Sequence, residues 1–155
     1  GAYSKSQGRI DSIKLARQSE INAEIEKKIE EKLKDYAAEV KALREQLAIQ
    51  QDIIAMKSLS LKVTAKFSKS GSKRTVRVTW TPSSKISGVK YQLYKSAKKS
   101  AGFKKLTTTS KTTIRNTNGL RKGNTYYYKV RAYKYLKGKY YYSGWSNVRS
   151  CKISK

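Results

Sequence analysis

The chain has 155 residues, 37% of them apolar, and a formal net charge of +26 from 36 Lys and Arg against 10 Asp and Glu. That length allows one ordinary domain with an appendage, or two small ones, and the apolar share fills only one modest core. With no histidine and one cysteine, Cys151, the composition excludes an internal disulfide, a zinc cluster and Cys–His nucleophilic catalysis.

The charge is segregated along the chain. All ten acids lie between Asp11 and Asp52, and ten basic residues in the first 52 positions balance them. From Ile53 to Lys155 there are 26 basic residues and no acid, although ordinary composition would place roughly a dozen there. A body of one charge sign repels itself and gathers polyanions. Candidate partners are therefore nucleic acid, an anionic membrane face or an acidic cell-wall polymer. The start at Gly1, without a signal-peptide pattern, reads as an excised or processed fragment. No stretch reaches the ~20 apolar residues of a membrane span.

The first predicted element is a helix over about Ile10 to Lys57, since neither glycine nor proline occurs between Gly8 and Gly71. Ile29, Leu33, Tyr36, Val40, Leu43, Leu47, Gln50 and Ile54 step by four and three, the spacing of a coiled-coil seam. Upstream, Ile21 and Ile25 reach Ile29 in two steps of four, so the seam drifts there as at a stutter. Glu24 with Lys28 and Glu30 with Lys34 stand at favourable i,i+4 spacing. Such a helix would run roughly 70 Å at 1.5 Å per residue. Packed on its own C-terminal domain it would overhang a body about 30 Å across. A parallel homo-oligomer buries the stripe better, with Gln50 in the seam helping to set register and strand number.

At Ser58 the period changes to two. Leu59, Leu61, Val63, Ala65 and Phe67 alternate with polar residues, and Val76, Val78 and Trp80 do so in the next run. Val89, Tyr91 and Leu93 follow, then Tyr126, Tyr128, Val130 and Ala132. Turn signals such as Ser70-Gly71-Ser72, Asn118-Gly119 and Lys137-Gly138 separate the runs. About seven short strands predict an all-β immunoglobulin-like sandwich over 58–155, after a helical stalk over 1–57. Cys151 is expected to fill a strand position.

Trp80, Tyr91-Gln92-Leu93-Tyr94, Leu120 through Tyr126, Tyr128 through Ala132, and Ser143-Gly144-Trp145-Ser146-Asn147-Val148 together resemble a fibronectin type III domain. The resemblance covers about 59–153, with strands A, B, C, C′, E, F and G. It is nearest to the Lys- and Tyr-rich variety in secreted and cell-wall proteins of Gram-positive bacteria. It implies that Tyr126 is a tyrosine corner whose hydroxyl bonds nearby backbone, that Trp80 fills the core, and that the protein is secreted or cell-wall located. Lys122 stands where many members place proline, leaving that turn less rigid. The helix lies outside the resemblance.

Catalysis is not expected. The β region lacks carboxylates for acid–base work or hard-metal ligation, and no phosphate-binding glycine loop occurs. No cofactor or metal is expected either. The positive signal is surface chemistry. If Tyr126, Tyr128, Val130 and Ala132 face inward, then Tyr127, Lys129, Arg131 and Tyr133 face outward, beside Lys90 and Tyr94 of the neighbouring strand. Lys134, Lys137, Lys139, Tyr140 and Tyr141 of the next hairpin, and Lys98, Lys99, Lys104 and Lys105 between two others, extend this candidate anion-binding face. Aromatics and lysines also simply cover an open sheet, and edge lysines deter aggregation. Covering a sheet does not, however, require removing every acid.

The expected function is a non-catalytic cell-surface adhesion or spacer module, oligomerised by its helix and binding an anionic cell-wall polymer or host surface component. Alternatives are a nucleic-acid-binding protein and a purely structural segment of a larger surface or phage-tail protein.

Overall fold

The computed structural model describes residues 1–155, with one helix followed by eight strands. Helix α1 runs Ala2–Ser58 without a break. It begins earlier than Ile10 because Gly8 alone does not end a helix; a mid-helix glycine costs only about 1 kcal/mol relative to alanine. Local i,i+4 bonds offset part of that, from Gln7 Nε2 to Asp11 Oδ1 (3.2 Å) and from Ser12 Oγ to the Gly8 carbonyl (2.9 Å). The ion pairs expected of Glu24–Lys28 and Glu30–Lys34 do not close; the one ion pair of the chain is Lys134–Asp52. Exposed pairs gain little over solvation, so long side chains stay in water.

The chain divides into two compact units, Gly1–Ala48 and Ile49–Lys155. The division falls within α1 rather than at the expected boundary between 57 and 58. Met56, on the last turns of the helix, is fully buried in the core of the second unit, and Leu59 follows it inside. In the first unit every apolar residue of the stripe is exposed, Ile29, Leu33, Tyr36, Val40, Leu43 and Leu47 included.

The second unit holds two antiparallel sheets. One contains β1 (Leu61–Ser70), β2 (Lys73–Pro82) and β5 (Thr113–Asn116) in the order β1-β2-β5. The other contains β4 (Lys104–Thr109), β3 (Lys90–Ser96), β6 (Thr125–Leu136) and β7 (Lys139–Tyr142) in that order, with β8 (Arg149–Lys152) also pairing with β6. One core takes side chains from both sheets. Val63, Val76, Val78 and Trp80 come from the first, and Tyr91, Leu93, Tyr128 and Val130 from the second. Every residue that the alternating pattern assigned inward is buried or half-buried, because a period of two puts alternate side chains on one face.

Eight strands stand where about seven were expected, because the last one is split. β7 and β8 both pair with β6 but are separated by Ser143–Val148. There the ladder is kept by serines. Ser143 Oγ accepts from the Ala132 N–H and Ser146 Oγ from the Val130 N–H, both at 2.9 Å. The Ser143 and Ser146 N–H groups donate back to Ala132 and Val130 carbonyls. The β6–β7 turn needs positive φ at both central residues, Lys137 (43°) and Gly138 (83°). Glycine adopts this freely, and Lys137 bears the strain of a two-residue hairpin whose twist suits the strands.

Candidate functional site

The expected face is the outer side of the sheet built on β6. Register places Gln92 opposite Arg131, Tyr94 opposite Lys129 and Lys90 opposite Tyr133. Tyr127, Lys129, Arg131 and Tyr133 do point outward, yet all four are half-buried. What covers two of them is a ladder of alternating rings and cations. The Lys129 ammonium lies 4.5 Å from the Phe103 ring centroid and 4.1 Å from that of Trp145. The Arg131 guanidinium lies 4.8 Å from the Trp145 ring centroid and 4.1 Å from that of Tyr142. Tyr94 meets Trp145 edge-on at 4.9 Å, and Arg131 Nε donates to Gln92 Oε1 at 2.8 Å. Ring faces are the negative ends of aromatic quadrupoles, so the cations are already solvated by protein.

Lys129 and Arg131 are therefore tied down as struts, pinning the Ser143–Val148 segment across the sheet. Two side chains of this ladder, Phe103 and Trp145, were not among the residues expected on this face. The signal for Trp145 was the break in the period-two pattern at Ser143-Gly144. Arg131→Ala is expected to destabilise the unit by about 1–3 kcal/mol, from lost stacking and a charge-assisted hydrogen bond. Removing one cation also relieves repulsion, and salt screens that relief. Denaturation at low and high salt should therefore find the cost at least as large at high salt; a cost that shrinks would mark an ion-pair origin instead.

Lys134 is also engaged, with its Nζ 3.2 Å from Asp52 Oδ2 on the last turns of α1. Lys95 donates to the carbonyls of Asn118 (3.1 Å) and Gly119 (3.4 Å) and sits 4.5 Å from the Tyr126 ring. Burial pushes the Lys95 ammonium below its usual pKa, against the raising influence of Tyr126. The Tyr126 hydroxyl accepts from the Arg121 N–H at 3.0 Å, the corner that the resemblance implied. Burial alone would raise this phenol. The Arg121 N–H, Asn124 and the charges of Lys95 and Arg121 outweigh it, and its pKa falls. Cys151 is buried beneath the sheet and burial raises its thiol pKa, away from reactivity.

Of the cations expected in the site, Lys90, Lys98, Lys99, Lys104, Lys105, Lys137 and Lys139 are exposed and without an ion-pair partner. Tyr140 is exposed too, and Tyr141 half-buried. Tyr140 lies 4.8 Å from Tyr135 and 5.6 Å from Tyr133, forming an aromatic cluster at the β6–β7 end. Gln50 and Ile54 of the expected helix seam are exposed as well. No helix is long and apolar enough to cross a membrane.

No protein-family model and no curated protein sequence matches the chain. Among solved structures it is similar to a chain of one titled "Cytokine receptor complex - Crystal form 1A", with 18% identity and a TM-score of 0.47. That match covers 59% of this chain and 50% of the other, so it spans about half the length of the structure it resembles.

Proposed function

We propose that the chain is a non-catalytic module of a bacterial secreted or cell-surface protein. Its helix joins copies into a homo-oligomer, and its cationic β unit binds an anionic polymer or surface. The observation that carries this reading is the charge of the second unit, which sets 26 basic residues against one acidic side chain, Asp52, itself paired with Lys134. Seven of the expected lysines remain exposed and unpaired.

Assignment to the fibronectin type III type is supported by strand order. The β1-β2-β5 sheet matches A, B and E of the expected arrangement, and β4-β3-β6 with the split last strand matches C′, C, F and G. The Tyr126 hydroxyl bond and buried Trp80 agree with it. Helix-mediated assembly is supported by the near balance of ten basic and nine acidic residues in Gly1–Ala48 and by its uncovered 3–4 stripe. Joined copies would turn weak contacts into useful avidity through effective concentration.

A second reading, single-stranded nucleic-acid binding, rests on the exposed Tyr135 and Tyr140 rings, on which bases could stack. Titration of the whole chain with poly(glycerol phosphate) and with an oligothymidylate of equal phosphate count separates the two. The adhesion reading expects binding to both without base preference. Six or more engaged phosphates would weaken it by about 10³-fold or more between ~50 and ~200 mM salt. Oligothymidylate affinity that persists above ~200 mM salt selects the second reading. No binding to either at low salt sinks both.

A further inference from the structure

The outer face of the three-stranded sheet carries a different cationic cluster, away from the residues expected to bind anions. Register sets Lys66 of β1 directly opposite Arg77 of β2, and Arg77 directly opposite Arg115 of β5. With strands about 4.8 Å apart, three cations stand in one row roughly 10 Å long. All three are exposed, and none has an ion-pair partner. Thr64, Thr79 and Thr113 form the adjacent row, again in direct register, with the Thr79 and Thr113 hydroxyls 3.1 Å apart. Shallow depressions flank Arg77 and Arg115 on both sides. One is lined by Thr79, Thr113 and Lys111, the other by Ser68, Thr75 and Lys73.

Like charges directly opposite one another weaken a sheet. A sheet held together despite such a row keeps an electrostatic strain that a bound anion would relieve. Guanidinium forks match phosphate oxygens in pairs, and threonine hydroxyls supply further donors. No aromatic side chain lies in either row, so neither bases nor sugar rings find a stacking platform there. An exposed site holds a single phosphate weakly because water and salt screen it. Useful affinity requires several phosphates on one flexible chain. A row of three fits two or three successive phosphates, whereas duplex binding commonly engages six to ten.

We propose that Lys66, Arg77 and Arg115 form a binding track for the phosphates of a base-free phosphodiester polymer. This rests on the polyanion-binding reading above and names the face that performs it. The test is titration of the whole chain with poly(glycerol phosphate), together with thermal unfolding. R77T/R115T removes two charges and inserts a residue already frequent on that face. K98A/K99A removes two charges elsewhere. Without polymer, R77T/R115T is expected to unfold at a temperature equal to or above the parent's. Its affinity should fall by about tenfold or more, against about twofold for K98A/K99A, since local pairing exceeds the effect of overall charge. Equal losses in the two variants overturn the track while leaving polyanion binding intact. No binding by the parent chain defeats the underlying reading itself. Tighter binding of an oligothymidylate of equal length, lost in R77T/R115T, overturns the base-free assignment.

Discussion

Lysine at both Leu33 and Val40 is expected to leave the chain monomeric at concentrations where the parent is associated. These side chains lie in the middle of the stripe and are exposed in the single chain. In a parallel bundle each would be enclosed by its symmetry mates. An ammonium there has no counter-charge and must either be desolvated or force the helices apart. The association constant should fall by more than a hundredfold, about 2.7 kcal/mol or more. A38K/E45A changes net charge by the same amount, with both changes off the stripe, and should leave association within a fewfold of the parent. Sedimentation of the three proteins checks this. A parent chain that is already monomeric removes the avidity mechanism, and equal effects of the two variants would attribute assembly to charge rather than to the seam.

Trp80→Ala is the most damaging single change expected in the β unit. Trp80 is 1% exposed, the largest of the fully buried side chains, and meets Tyr91 edge-on at 5.7 Å. Truncation removes contacts with both sheets and leaves a cavity, a loss of about 3–5 kcal/mol. At ~4–8 °C per kcal/mol for a domain of this size, the melting temperature falls by well over ~10 °C. Trp80→Phe should be far milder. No protein group accepts from the buried indole N–H, and an unsatisfied donor costs about 1–3 kcal/mol. Phenylalanine removes that donor while keeping most of the apolar volume. Chemical denaturation of the two variants tests the comparison; equal losses would mean that the ring volume kept by phenylalanine contributes nothing, and would overturn the cavity origin of the Trp80→Ala cost.

Much of this architecture was legible because it is local. The 3–4 spacing from Ile29 to Ile54 marks one helix, and the alternation in Tyr126-Tyr127-Tyr128-Lys129-Val130 marks a strand with one wet face. The structural tasks of Trp80 and Tyr126 came from the resemblance rather than from the pattern. Relations between strands were not legible. Arg131 looks like a free surface cation until register brings Gln92 beside it and the Ser143–Val148 segment lays Trp145 over it. Lys134 looks equally free until the last helical turns place Asp52 within reach. The row Lys66–Arg77–Arg115 depends on the pairing of β2 with β5 across a long sequence separation. Nothing in the local pattern fixes that pairing. The division of the chain inside α1 was not legible for a related reason, since Met56 belongs to the β core through contacts rather than through period.

The serine-held gap between β7 and β8 also governs how copies can meet. A bare sheet margin offers unpaired amides and carbonyls to any passing chain, the usual template for runaway strand addition. Along Val130 and Ala132 those amides are already spoken for by Ser146 and Ser143, and the bulky Trp145 rises beside them. A neighbouring chain therefore finds no free amide at Val130 or Ala132 on which to start a ladder.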